Sequence, residues 1–121
     1  MKSNKASEIA IYHSKKDPSL CMDSNVRGTG IGTRIHLWSC NGKNSNQHLV
    51  FENERIRVLG TNRCFDIAEG NIKKDKLITY TCHDGSNQKW SFDDKGRIHS
   101  VMDDSYCIDL PNIKLKKGTK L

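Results

Sequence analysis

The chain has 121 residues, of which 35% are hydrophobic, and it carries a formal charge of +6 with a mean hydropathy of −0.71. This length predicts a single domain with a modest core, and no stretch approaches the about 20 consecutive apolar residues of a membrane span. The lysines are scattered through predicted loops, which favours a solvated basic surface over a nucleic-acid site. We therefore expect no nucleic-acid partner and no membrane insertion.

Five cysteines in so short a chain indicate disulfides, and disulfides indicate an oxidising, extracellular compartment. No secretory hydrophobic segment fits the first twenty residues, which include Lys2, Lys5, Glu8, Lys15, Lys16 and Asp17. We expect that Met1 begins an expressed piece or a processed fragment of a secreted protein.

Short motifs recur along the chain at intervals of about forty residues. Cys-x-Asp occurs at 21–23, 64–66 and 107–109, in steps of 43 residues. An aromatic-x-Cys motif follows at 38–40 and 80–82, and Asn-Gln follows at 46–47 and 87–88, the second time as Asn-Gln-Lys-Trp. Upstream, Tyr-His-Ser at 12–14 corresponds to Ile-His-Ser at 98–100 and to Ile-Arg-Val at 56–58. Such a period indicates copies of one supersecondary unit.

Each copy has the features of strands. The segments are short, rich in β-branched and aromatic residues, and bounded by Gly, Asn, Asp and Lys. No segment sustains a helical apolar period. About four strands per copy are predicted, which makes the fold class all-β. The single domain would span 1–121, with repeats at about 9–52, 53–95 and 96–121.

Three four-stranded units that close a barrel form a β-trefoil, and the order and spacing of the motifs resemble the ricin B-type lectin domain. The resemblance rests on Cys-x-Asp, aromatic-x-Cys and Asn-Gln-x-Trp and covers roughly residues 9–121. In the second copy, Tyr-Thr-Cys-His at 80–83 with Asn-Gln-Lys-Trp at 87–90 looks most like the lectin domains of polypeptide GalNAc-transferases.

The resemblance implies sugar-binding sites for galactose or N-acetylgalactosamine. Neighbouring axial and equatorial hydroxyls of such a sugar suit a carboxylate acceptor, and its apolar ring face suits an aromatic side chain. The first copy would supply Asp23, His36, Trp38, Asn46 and Gln47, and the second Asp66, Tyr80, His83, Asn87 and Gln88. The glutamines would orient the aspartates. For His36 a surface strand residue is the favoured alternative, and plain core aromatics are an alternative for Trp38 and Tyr80. Asp109 has lost these partners, so no site is expected in the third copy.

Pairing of the strand that carries Cys-x-Asp with the strand that carries aromatic-x-Cys also predicts the disulfides. Cysteine and aspartate of Cys-x-Asp share a strand face, and the hairpin would bring Cys40 beside Cys21 and Cys82 beside Cys64. Each disulfide closes a loop of about 20 residues, worth about 3 kcal/mol in the chain-entropy model. Cys107 is left free.

The third copy is predicted to be incomplete. Leu121 aligns near the start of the third strand, and the last cysteine and the last Asn-Gln-x-Trp are absent. We expect a fragment of a longer protein, or a chain that a partner completes.

These observations predict a secreted, non-enzymatic lectin module that needs no metal or other cofactor. Its partners would be galactose- or N-acetylgalactosamine-type glycans on glycoproteins or glycolipids, and family analogy adds a fused or associated effector domain such as a toxin. Two alternatives stay open: a trefoil protein–protein interaction module with silent sugar sites, and a basic polyanion binder, which steep salt dependence would identify.

Overall fold

The computed structural model describes residues 9–10, 12, 17–24, 32–42, 45–109 and 114–117. This part of the chain is all-β, as predicted, and contains no α-helix. Its strands are β1 (Ile9–Ala10), β2 (Leu20–Asp23), β3 (Thr33–Arg34), β4 (His36–Ser39), β5 (Leu49–Glu52), β6 (Arg55–Val58), β7 (Arg63–Ile67), β8 (Leu77–Thr81), β9 (Trp90–Phe92), β10 (Ile98–Ser100), β11 (Tyr106–Asp109) and β12 (Lys114–Lys117). Four 3-10 turns cover Ser45–Gln47, Ala68–Gly70, Ile72–Lys74 and Ser86–Gln88.

The strands form three sheets. One sheet has six strands in the order β1-β5-β6-β7-β8-β3, a second has four in the order β12-β11-β10-β9, and β2 pairs with β4 alone. Every pairing is antiparallel. The six-stranded sheet joins strands of the first two repeats, because β5 pairs with β6 and β3 pairs with β8.

One hairpin recurs in all three repeats with the same register. The strand that carries Cys-x-Asp pairs with the next strand so that Cys21 faces Trp38, Cys64 faces Tyr80, and Cys107 faces Lys116. The aspartate two residues on faces residue 36, 78 or 114. The period of the sequence motifs is therefore a period of strand pairing.

The third hairpin corrects one expectation. The third strand of the last repeat was predicted to begin near Leu121, but β12 at Lys114–Lys117 already pairs with the whole of β11. The loop before it is shorter than in the other repeats, so simple alignment placed the strand too late. Among the described strands, β12 lies at the edge of the four-stranded sheet.

The core contains the central residues of the Cys-x-Asp motifs and the first residues of strands β5 and β9. Met22 and Phe65 are fully buried. Trp90 is also fully buried, and its indole N–H donates to the Phe65 carbonyl at 3.3 Å. Leu49, the first-repeat counterpart of Trp90, is equally buried. Fully burying such a side chain stabilises the fold by about 1.5–3 kcal/mol.

Both predicted disulfides are present. Cys21 bonds to Cys40 and Cys64 to Cys82, with Cα–Cα distances of 5.0 Å in each case, and Cys107 is free and buried. Each bond clamps the two strands of one hairpin. The residue that follows β12 in the sequence is Gly118, where the other repeats have their second cysteine.

Arg57 and His99 occupy equivalent positions, opposite Cys64 and Cys107, and they bridge equivalent groups. Arg57 donates to Glu52 at 2.9 Å and to the Thr61 carbonyl at 3.2 Å. His99 likewise reaches a carboxylate and a carbonyl, with Nε2 2.8 Å from Oδ2 of Asp93 and Nδ1 2.9 Å from the Asp104 carbonyl oxygen.

The Asp93 carboxylate and the Asp104 carbonyl are both acceptors, an arrangement that favours the imidazolium ion, in which both ring nitrogens carry hydrogen. The hydrogen bond with Asp93, followed by that with the Asp104 carbonyl, raises the pKa of His99. The same His99 contact holds the pKa of Asp93 well below its usual range. The Cys107 thiol lies 3.2 Å from Nδ1, and burial raises the pKa of that thiol.

We predict that this histidine makes stability depend on pH. Because the folded pKa of His99 is raised, its stabilisation is complete below the unfolded pKa of about 6.5 and is lost as pH rises through the folded pKa. A folded-state pKa that lies one pH unit above the unfolded value corresponds to about 1.4 kcal/mol of stability. Urea unfolding of wild type and His99→Arg between pH 5.5 and 8.5 measures it. The arginine variant copies Arg57 and keeps its charge, so its stability should decline less over this range. Parallel curves for the two proteins would contradict the prediction.

Candidate functional sites

A buried glutamine organises the second repeat. Gln88, at the end of the 3-10 turn Ser86–Gln88, is fully buried. Its amide nitrogen donates to Oδ2 of Asp66 at 2.8 Å and to the Thr81 carbonyl at 2.9 Å. Its amide oxygen accepts from the backbone N–H of His83 at 2.8 Å. Both amide hydrogens and the oxygen are engaged, which fixes the orientation of this amide and of the carboxylate it holds.

The first repeat has the same network. Gln47 is fully buried and donates to Oδ2 of Asp23 at 3.2 Å and to the Ser39 carbonyl at 2.9 Å. It accepts from the backbone N–H of Asn41 at 3.0 Å. The glutamine therefore ties the aspartate on one strand to the end of the paired strand in both repeats.

The two aspartates are almost completely removed from solvent, with 2% of Asp23 and 3% of Asp66 exposed. Burial raises the pKa of Asp66, while the hydrogen bond from Gln88 and the nearby His83 and Asn87 act against that rise. Each site thus holds one buried aspartate that a glutamine amide fixes in position, and an ionised carboxylate is a strong hydrogen-bond acceptor.

An exposed aromatic ring accompanies each carboxylate. Trp38 is 59% exposed and Tyr80 is 41% exposed, although both are large hydrophobic side chains on paired strands. Side chains that face each other across two strands share one face of the sheet, which places Trp38 on the face of Asp23 and Tyr80 on that of Asp66. The alternative that these rings belong to the core is therefore wrong.

A histidine approaches each carboxylate, but the two histidines lie at different places in their repeats. His36 faces Asp23 across the hairpin, with Nε2 3.2 Å from Oδ1 and the ring centroid 5.6 Å from that of Trp38. Ile78 takes this place in the second repeat. There His83, after the third strand, brings Nε2 to 3.6 Å from Oδ2 of Asp66. The structure unites all ten predicted site residues in two clusters, one for each repeat.

The hydrogen bonds of His83 define its proton position. Its Nδ1 accepts from the backbone N–H of Gly85 at 2.9 Å. The neutral ring therefore carries its hydrogen on Nε2, which faces Asp66. His83 remains half-exposed, so the same N–H is within reach of a ligand.

The two asparagines are used differently. The Asn87 side chain donates to the Ile67 carbonyl at 3.2 Å and contributes to lowering the pKa of Asp66. In the first repeat the backbone carbonyl of Asn46 accepts from the N–H and the hydroxyl of Ser24, at 3.0 and 2.8 Å. Both arrangements anchor the Asn-Gln turn to the residue that follows the aspartate.

Sequence reasoning missed three supporting residues, namely Ser24, Arg55 and Gly85. Arg55 on β6 donates to the His83 carbonyl at 2.8 Å and so holds the His83 loop. A Cβ on Gly85 would lie 2.8 Å from Asn87 Oδ1 and from His83 Cε1, which leaves no room for a side chain. The sequence did indicate that this loop differs, because the segment between Cys82 and Asn87 is one residue shorter than its counterpart between Cys40 and Asn46.

The described residues contain no helix that is long and apolar enough to cross a membrane. Within the same part of the chain, no three histidine, cysteine or acidic side chains are grouped so that they could hold a metal ion.

Comparison with known proteins identifies the class to which this fold and these clusters belong. The family model of the ricin-type beta-trefoil lectin domain matches residues 8–121, and the chain belongs to that family. No curated protein sequence matches the chain.

Solved structures confirm the β-trefoil. The Vibrio vulnificus hemolysin/cytolysin β-trefoil lectin, solved with N-acetyl-D-lactosamine bound, is 22% identical with a TM-score of 0.78, over 93% of this chain and 87% of that one. A non-toxic homologue of type II RIPs from Momordica charantia, in complex with α-methyl-D-galactoside, is 20% identical with a TM-score of 0.72, over 95% of this chain and 44% of that one. A designed three-fold symmetric protein, ThreeFoil, gives a TM-score of 0.72 at 15% identity, over 91% and 84%.

We predict that Gln88→Met raises the pKa of Asp66 further and lowers stability by about 1–3 kcal/mol, because a buried carboxylate loses its nearest donor. Carboxyl ¹³C NMR titration measures the pKa and urea unfolding the stability. Gln47→Met is the matched variant, which should leave the Asp66 titration unchanged. An unshifted Asp66 in Gln88→Met would show that the glutamine does not control this carboxylate.

Proposed function

We propose that the protein is a non-enzymatic lectin module with two sites for galactose- or N-acetylgalactosamine-type sugars, one in each of the first two repeats. The observation that carries this proposal is a buried, glutamine-held carboxylate beside an exposed aromatic ring, built twice on the same hairpin. Membership in the ricin-type lectin family supports it. So do two structural relatives that were solved with N-acetyl-D-lactosamine and a methyl galactoside.

The chemistry of one site follows from its three parts. Asp66 accepts hydrogen bonds from two neighbouring sugar hydroxyls, and its fixed orientation costs no rearrangement on binding. Tyr80 stacks on the apolar ring face. His83 and Asn87 supply the donors that a sugar hydroxyl or ring oxygen requires. In the first site Asp23 and Trp38 take the first two roles, and His36 and Asn46 take the third.

Such open sites bind single sugars weakly. A dissociation constant near ~1 mM corresponds to only ~4 kcal/mol. Two sites on one rigid barrel can engage two branches of a glycan and gain affinity through avidity. Branched glycans on glycoproteins or glycolipids are therefore the partners we propose.

The wider setting extends this proposal. Two disulfides support a secreted protein, and the likeness to the β-trefoil lectin of a hemolysin/cytolysin supports a fused or associated effector domain. We propose that the chain is a single domain with repeats at about 9–52, 53–95 and 96–121. The likeness of the second repeat to GalNAc-transferase lectin domains predicts that the second site prefers N-acetylgalactosamine.

We predict that Asp23→Asn and Asp66→Asn each abolish one site and leave the other intact. Asparagine keeps the shape of aspartate but lacks the charged acceptor, so affinity at the altered site should fall at least tenfold. Galactose and N-acetylgalactosamine titrations followed by ¹H–¹⁵N NMR resolve the two sites in one experiment.

Asp84→Asn is the matched control, because the Asp84 side chain is 91% exposed and its carboxylate pairs with Lys89 at 3.2 Å. It should bind like wild type. A double Asp23→Asn, Asp66→Asn variant that still binds galactose as wild type does would refute the two sites. A wild-type protein that binds neither sugar would refute the proposed function.

We also predict that the affinity of the second site for its ligand falls as the solution becomes more acidic. The carboxylate form of Asp66 binds sugar, and burial raises its pKa above the ordinary value of 3.8. Affinity is therefore present above this raised pKa and falls as pH decreases through it, earlier than an ordinary aspartate would allow. Titrations at pH 7, 6, 5 and 4.5, with circular dichroism to follow folding and carboxyl ¹³C shifts to follow Asp66, test the link. Affinity that stays constant while Asp66 becomes protonated would contradict it.

A further inference from the structure

The third repeat keeps the hairpin of the other two but changes the residues at its ligand positions. Lys116 occupies the register position of Trp38 and Tyr80, opposite the cysteine of Cys-x-Asp. Lys114 occupies the position opposite the aspartate. The backbone frame of a sugar site is thus repeated with two cationic residues in place of the aromatic ring and its neighbour.

The aspartate of this hairpin is also in a different state. Asp109 is half-buried, whereas Asp23 and Asp66 are buried. Of the described residues, Gln47 and Gln88 hold the other two aspartates. The register position of the aromatic ring is taken by a lysine in this hairpin. A neutral galactose would therefore lack the ring on which it stacks in the first two proposed sites.

We propose that the third hairpin is a separate site for acidic sugars, meaning glycans that carry a carboxylate or a sulfate. Lysine at these positions provides a cation for the acidic group, and Asp109 remains an acceptor for a sugar hydroxyl. An acidic sugar is the ligand class that offers both an anion and hydroxyl donors, so it uses all three residues. This inference extends the proposed glycan binding but does not depend on the first two sites.

A simpler explanation is that the lysines of β12 only protect an edge strand from pairing with other chains. The two explanations differ at Lys117, which faces Tyr106 across the hairpin and alternates with Lys116 along the strand. If the lysines only protect the edge or attract anions in general, replacing Lys116 and replacing Lys117 should have the same effect. A site on the face of Asp109 requires Lys116 and does not require Lys117.

The test uses lactose, 3′-sialyllactose and 3′-sulfolactose, titrated by ¹H–¹⁵N NMR into the wild type and into the Asp23→Asn, Asp66→Asn double variant. We expect the double variant to lose lactose binding and to keep binding the two acidic sugars, with shifts centred on β11. Lys116→Ser in this background should weaken the acidic sugars at least fivefold, and Lys117→Ser should change them less than twofold. Binding of both acidic sugars points to the shared negative charge, and binding of one alone identifies the carboxylate or the sulfate as the recognised group.

Three outcomes would overturn the inference: acidic sugars that bind no better than lactose, equal effects of Lys116→Ser and Lys117→Ser, or an oligonucleotide that displaces the acidic sugars at equal charge concentration. Failure of the two hypotheses is distinguishable. Lactose binding at the first two repeats without acidic-sugar binding refutes only the third site. Acidic-sugar binding that requires Lys116, in a protein that never binds lactose, refutes only the two neutral sites.

Discussion

The hydrogen bonds of a buried glutamine to a buried aspartate are the constraint on which both candidate sites depend. A carboxylate removed from water strongly favours its protonated form unless fixed donors stabilise the charge. Gln88 and Gln47 provide that donor, and each also bonds to the backbone at the end of the paired strand. In each repeat, one glutamine amide thus stabilises the aspartate as an acceptor. The same amide links the strand that carries the aspartate to the strand that carries the aromatic ring.

This dependence explains why the glutamines lie inside and the aromatic rings outside. A satisfied amide can be buried at little cost, because all its donors and acceptors have partners. Trp38 and Tyr80 remain exposed on the same face of the hairpin as the aspartate. An exposed ring next to a charged acceptor is unfavourable for folding alone, and the sugar binding that we propose would account for it.

The three hairpins show that scaffold and ligand residues vary separately. The disulfides and the central Met22 and Phe65 keep the first two hairpins alike, while the histidine approaches the aspartate from the facing strand in one and from the following loop in the other. In the third hairpin Lys116 takes the aromatic position on the same backbone register. Arg57 and His99 show the same freedom on the scaffold side, because different cations bridge equivalent acceptors.

The sequence by itself determined the all-β fold, the three-fold repeat, both disulfides and the membership of the two clusters. These follow from motif spacing and from the alternation of side chains along a strand, which are local properties. Only the tertiary structure decided that His36 and His83 reach their aspartates by different routes, that Arg55 and Gly85 shape the second loop, and that β12 begins at Lys114. Those features depend on loop lengths and on contacts between residues distant in the chain, and a repeat pattern does not encode the path of a loop.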